Sequence, residues 1–207
     1  MLTFASLPPV DLIIVRHGRP ERDEREEGQA ADPSLSIMGR QQAELTADFL
    51  QCESITRIAS STMNRARQTA EPLADKLGIE IELHDALCEV DRESNRYVPM
   101  EEMTNEDPIV AEFLNDPWSL FNGDFEGFKT RVLDGFDAIV QANRGGTVAV
   151  FCHGMVMGVY LMTQLGVDDP FRFNIDYCGI MRVQASSNGV RSIRSVNETG
   201  HVRHTLE

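Results

Sequence analysis

The chain has 207 residues, of which 42% are hydrophobic and 25% charged, and a formal net charge of −14. That length buries a good core without disulfides and reads as a single domain over residues 1–207, with a cap-like insertion over roughly residues 84–123. The acidic balance argues against nucleic acid as a partner, so any anion site must be built locally from arginines.

In chain order, Met1 to Pro9 has neither a basic n-region nor a long apolar stretch, so it is not read as a signal peptide. Leu12 to Val15 is a continuous apolar run of strand type that ends in Arg16-His17-Gly18. Pro20 to Ala31 is charged and reads as a solvated loop at the functional edge. Ser36 is a helix cap for Ile37 to Leu50. Ile55 to Ala59 is a second strand, running into Ser60-Ser61. Asn64 to Leu77 is helical in composition, with Pro72 expected to kink or split it and Gly78 to close it.

Ile79 to Leu83 alternates as a third strand. From His84 to Gly123 the strand signal disappears, and prolines punctuate short helices such as Ile109 to Leu114. Asp124 to Ala142 is a long helix, and Arg144-Gly145-Gly146 turns it into a strand from Thr147. That strand ends in Phe151-Cys152-His153-Gly154, and a helix follows from about Met155 to Leu165. Gly179 to Ala185 and Val190 to Val196 flank Ser187-Asn188-Gly189, a hairpin signal. His201-Val202-Arg203-His204 has helical metal spacing but lies in a polar tail and reads as a solvated terminus.

No run approaches the length of a membrane span, so no membrane partner is expected. Cys52, Cys88, Cys152 and Cys178 are scattered without a Cys-x-x-Cys pair, which fits buried thiols in a reducing compartment and a cytoplasmic location. No dinucleotide or Walker fingerprint and no ligand cluster occurs, so neither a cofactor nor a metal is expected.

Two buried strands therefore each deliver a histidine and then a glycine to the carboxyl edge of a sheet, where open α/β proteins bind ligands. A histidine fixed at a strand end suits a nucleophile that must meet phosphorus in line. Arg16 beside His17 can clamp phosphate oxygens and disfavours the imidazolium, leaving a ring nitrogen free to attack. Arg65, in the first turn of the helix after Ser60-Ser61, adds positive charge to a helix N-terminus.

These motifs resemble those of the histidine phosphatase superfamily, the phosphoglycerate-mutase-like family. The residues are Arg16-His17-Gly18, Ser60-Ser61 through Arg65-Ala66 and Gln68-Thr69-Ala70, Leu87-Cys88-Glu89-Val90, and Phe151-Cys152-His153-Gly154. The resemblance implies an α/β fold: a three-layer α/β/α sandwich with a mostly parallel mixed sheet and helices on both faces. It implies that His17 becomes a phosphohistidine. It also implies that Arg16, Arg65 and His153 bind the phosphoryl group, and that Glu89 protonates the leaving oxygen and then activates water.

The expected function is metal-independent hydrolysis of a small phosphorylated metabolite. The alternatives are mutase-type phosphoryl transfer and a non-catalytic binding module on the same fold. Arg19 stands where members often carry Glu or Gln, and is a possible substrate contact together with Arg92 and Arg96. Asp23 falls near the place of a phosphate-touching Asn, where a carboxylate would repel the ligand, so either Asp23 points elsewhere or the loop is shifted. Asp91 and Glu93 are the alternatives to Glu89 as the acid, and Gly123-Asp124-Phe125-Glu126 only partly echoes the family's usual Glu-rich helix start. Neither the substrate nor the oligomeric state is given by the sequence.

Overall fold

The computed structural model describes residues 8–104 and 108–206; the reading of Met1 to Pro9 falls largely on residues outside these. In chain order the main elements are β1 (Val10–Arg16), β2 (Asp23–Glu24), α1 (Ile37–Leu50), β3 (Arg57–Ser61), α2 (Asn64–Leu77), β4 (Ile81–His84) and β5 (Arg96–Tyr97). These are followed by α3 (Pro108–Asn115), α4 (Phe125–Ala142), β6 (Thr147–Cys152), α5 (Gly154–Leu165), β7 (Ile180–Ala185) and β8 (Arg191–Glu198).

Among the described residues, six strands form one sheet in the order β4-β3-β6-β1-β7-β8. The neighbours from β4 to β1 run parallel, and β7 and β8 run antiparallel as the hairpin over Ser187-Asn188-Gly189 requires. Successive residues of β1 point to opposite faces. Leu12 and Ile14 join a core with Val132, Phe136 and Ile139 of α4 and Val156 and Val159 of α5. Ile13 and Val15 join a second core with Ala47 and Leu50 of α1 and Ala70, Leu73 and Ala74 of α2. This is the expected three-layer arrangement. The continuous apolar runs are strands buried on both faces rather than half-exposed ones.

Local signals set most helix ends. The Ser36 hydroxyl accepts from the Gly39 N–H at 3.0 Å, and Asp124 accepts from the Gly127 N–H at 3.0 Å. Gly78 adopts φ 65° at the end of α2, and Ile79 then donates to the Ala74 carbonyl at 3.1 Å. That last bond keeps Ile79 out of the sheet, so the third strand starts at Ile81 rather than at Ile79. Likewise Ile55 turns back onto the Glu53 carbonyl, and β3 begins only after Thr56 reaches Thr147.

Three expectations need correction. Helix α2 is not split at Pro72; the turns on either side are held by Ala66, Ala70, Leu73 and Ala74, all buried. The loop after β1 and the insertion are not strand-free, because β2 and β5 pair antiparallel through Asp23 with Tyr97 and Glu24 with Arg96. Such two-residue strands are too short to show any periodicity in sequence. The polar tail is docked, not solvated: Val202 is fully buried, His201 stacks on Phe49 at 4.9 Å, and Gln42 donates to the Thr205 hydroxyl at 3.1 Å.

Candidate active site

Strands β1 and β6 lie side by side and in register, Arg16 opposite Cys152, so His17 and His153 leave the same edge of the sheet. Their ring centroids are 5.1 Å apart, and both side chains are buried. The loop carrying His17 is held from several directions. Its amide donates to the Cys152 carbonyl at 2.9 Å, and the Gly18 N–H donates to the Thr69 hydroxyl at 2.9 Å, which itself donates to the Arg65 carbonyl at 2.7 Å. Gly18 and Gly39 let this loop lie against the start of α1. A Cβ on Gly18 would stand 2.7 Å from the Gly39 carbonyl oxygen, and one on Gly39 would stand 1.9 Å from that of Arg19.

The His17 Nδ1 lies 2.8 Å from the Gly18 carbonyl oxygen. A carbonyl can only accept, so Nδ1 carries the proton and Nε2 is left with its lone pair. Burial, first, and then the charges of Arg65 and Arg16 hold this imidazole well below its ordinary pKa, against the pull of the Gly18 carbonyl. His17 is thus a neutral, oriented imidazole with a lone pair free at Nε2. His153 is depressed in the same way, by burial and then by Arg65.

Arg65 is fully buried at the start of α2. One of its nitrogens, Nη2, donates to Asp91 at 2.8 Å, and its guanidinium lies over the Tyr97 ring at 4.7 Å. Arg16 donates through Nη1 to the Ile175 carbonyl at 2.5 Å and lies over the Tyr177 ring at 4.3 Å. Arg16 Nε, Arg65 Nε, Arg65 Nη1 and His153 Nδ1 are buried and have no partner within the protein. A buried donor left unpaired costs about 1–3 kcal/mol. Groups of this kind, three of them guanidinium N–H donors, match the oxygens of a tetrahedral anion.

Glu89 follows the short helical turn Asp85–Leu87 after β4. Its two carboxylate oxygens accept from the Met155 N–H at 2.9 Å and from the Val90 N–H at 3.0 Å, which ties it to the first turn of α5 directly after His153. Burial, and then the like charge of Asp91, raise its pKa, and these outweigh the two backbone bonds and Arg65. A carboxyl held in this way keeps its proton to a higher pH than an exposed one does.

The structure therefore brings together Arg16, His17, Arg65, Glu89 and His153. Arg19 instead pairs with Glu101 at 2.7 Å and Glu102 at 2.9 Å, both from the insertion. Asp23 is bonded to Arg25 at 2.6 Å and accepts from the Asp32 N–H at 3.2 Å. Arg92 is taken by Asp85 and Glu93, and Arg96 by Glu24. Of the alternatives to Glu89, Asp91 is occupied by Arg65 and Glu93 is well exposed.

No local sequence signal marks Tyr97 and Tyr177, which come from a two-residue strand and from the segment before β7, or the cap that Asp32 supplies. The Asp32 side chain accepts from the Asn64 N–H at 2.8 Å and so replaces Met63, which has no capping side chain. Among the described residues, no group of three or more His, Cys, Asp or Glu side chains is placed to hold a metal ion, and no helix is long and apolar enough to cross a membrane.

Residues 12–199 match the model of the histidine phosphatase superfamily (branch 1). The chain is similar to a bifunctional protein of Mycobacterium tuberculosis, 28% identical over 209 residues that cover 97% of this chain and 57% of that protein. It thus spans little more than half the length of that relative. It is also similar to a probable phosphoglycerate mutase of Escherichia fergusonii, 29% identical over 210 residues and 94% of each chain. In fold it resembles a phosphoserine phosphatase of Entamoeba histolytica solved with 3-phosphoglyceric acid, with a TM-score of 0.70 at 22% identity, covering 93% of this chain and 99% of that one.

Proposed function

The chain belongs to the histidine phosphatase superfamily, and from that premise we propose that it hydrolyses a small phosphate monoester through a phosphohistidine, without a metal. The observation that carries this reading is the set of buried, unpartnered donors on Arg16, Arg65 and His153 beside a His17 whose Nε2 is free. Phosphoryl transfer asks a protein mainly for positioning and positive charge, and these residues supply both.

In this account the arginines and His153 hold the phosphoryl oxygens. The His17 Nε2 attacks phosphorus, the bond to the ester oxygen breaks, and Glu89 gives that oxygen its proton, releasing an alcohol. The Glu89 carboxylate then takes a proton from water as the water attacks the phosphohistidine, which frees inorganic phosphate and restores His17. A protonated Glu89 matches the first step and its carboxylate the second.

The name of the Escherichia fergusonii relative favours a second reading, return of the phosphoryl group to a bound phosphoglycerate. The name of the structural neighbour from Entamoeba histolytica favours hydrolysis of a small phosphorylated acid. Supplying the chain with phosphoserine and with phosphoglycerate, with and without chelator, separates the two. Release of inorganic phosphate in both conditions supports the phosphatase, and isomerised phosphoglycerate without phosphate release supports the mutase. A loss of turnover on chelation contradicts the metal-independent route.

A further inference from the structure

Ser61 is the last residue of β3, and its side chain is completely buried. Three polar atoms surround its hydroxyl oxygen: His153 Nε2 at 2.8 Å, the Met63 amide nitrogen at 3.2 Å and Cys88 Sγ at 3.5 Å. A hydroxyl has one proton to give and two lone pairs to offer. The Met63 amide can only donate, so it takes a lone pair. The Ser61 proton then goes either to the imidazole nitrogen or to the thiol.

Distance and acceptor strength both favour the imidazole, because sulfur is a weak acceptor. The Cys88 thiol also has other partners, the Thr62 hydroxyl at 3.0 Å and an Asp85 carboxylate oxygen at 3.8 Å. A neutral imidazole that accepts at Nε2 carries its proton on Nδ1. That nitrogen of His153 is buried, has no partner in the protein, and belongs to the site that holds the free N–H groups of Arg16 and Arg65.

We propose that Ser61 is a positioning residue that fixes the tautomer of His153, keeping the proton on Nδ1 so that a neutral histidine donates to a phosphoryl oxygen. The opposite tautomer would turn a lone pair toward that oxygen and repel it. Ser61 reaches no substrate atom in this account; it acts through His153. The inference rests on the reading of the site as a phosphoryl site, but the tautomer itself can be read in the free protein.

The test is heteronuclear NMR of isotope-labelled histidine in the whole chain near neutral pH, with His153 assigned by comparison with His17→Asn. The account predicts the Nδ1–H form in the native chain. In Ser61→Ala it predicts a shift toward the Nε2–H form, weaker binding of inorganic phosphate, and a fall in turnover of roughly 10- to 10²-fold, less than deleting a transition-state donor outright. Ser61→Thr, which keeps the hydroxyl, should restore the tautomer. An Nε2–H form in the native chain overturns the assignment, and that spectrum decides even if Ser61→Ala does not fold. A folded Ser61→Ala that keeps the native tautomer overturns it as well. If the tautomer behaves as stated and no phosphate ester is hydrolysed, the hydrolase reading fails while Ser61 keeps its role toward His153.

Discussion

Asp91 accepts one hydrogen bond from Arg65, at 2.8 Å to Nη2, and leaves the other buried guanidinium nitrogens without a protein partner. The same carboxylate raises the pKa of Glu89, second only to burial. One acidic side chain therefore both holds Arg65 and favours the protonated form of Glu89.

Replacing Asp91 with Asn should act on both. Removing its charge, and leaving Arg65 unneutralised, favours the Glu89 carboxylate, so the alkaline limb of the kcat profile on an alkyl phosphate should move to lower pH. An unmoved alkaline limb would show that Glu89 is not the group titrating there.

Glu89→Gln removes the proton donor while keeping its shape. Hydrolysis of an alkyl phosphate should slow by roughly 10²–10⁴-fold. Hydrolysis of p-nitrophenyl phosphate should slow much less, because nitrophenolate leaves without protonation, provided phosphoryl transfer to the enzyme limits both. Equal losses on the two substrates would give Glu89 a binding role and make Asp91 the next carboxylate to test.

Gly39 lies in the first turn of α1, where an added Cβ would stand 1.9 Å from the Arg19 carbonyl oxygen. The obstructing atom is backbone and cannot rotate away. Gly39→Ala should therefore cost about 1–3 kcal/mol or more, the usual range for overpacking, despite the better helix propensity of alanine. Thermal unfolding measures this directly, and an unchanged Tm would mean that the loop after His17 moves freely from α1.

The buried histidines also set a pH dependence of stability. Both hold pKa values well below the ordinary 6.5. Below about pH 6.5 the unfolded chain takes up protons that folded His17 and His153 refuse, so stability falls as the pH falls from there toward the folded pKa values. Glu89 works with the opposite sign, because its raised pKa makes the native state bind the extra proton above its ordinary value of 4.5. The Tm should drop between about pH 7.5 and about pH 5.5, and drop less in the His17→Asn, His153→Asn double variant. An equal drop in both proteins would place the titrating groups elsewhere.

Most of the sheet and its functional edge can be read from the sequence, because the apolar runs ending at Arg16 and Cys152 carry their own boundary in the His-Gly that follows. Helix ends marked by Ser36 and Gly78 are equally readable, since a cap is a local event. Contacts made at long range were not. The Arg19 pairs with Glu101 and Glu102, the Tyr97 and Tyr177 rings against the two arginines, and the docked tail around Val202 all join segments far apart in the chain. Pro72 misled for the related reason that packing on the sheet outweighs a missing backbone bond.

The proposed hydrolysis turns on transfer of the phosphoryl group to the His17 Nε2. Rapid quenching of the chain with a substrate carrying radiolabelled phosphate, followed by peptide mapping, tests it most directly. The account predicts an acid-labile label on His17 at Nε2 that forms and decays as fast as turnover, and its loss together with activity in His17→Ala. Turnover without label on His17, or a His17→Ala variant that keeps most of its activity, would contradict it.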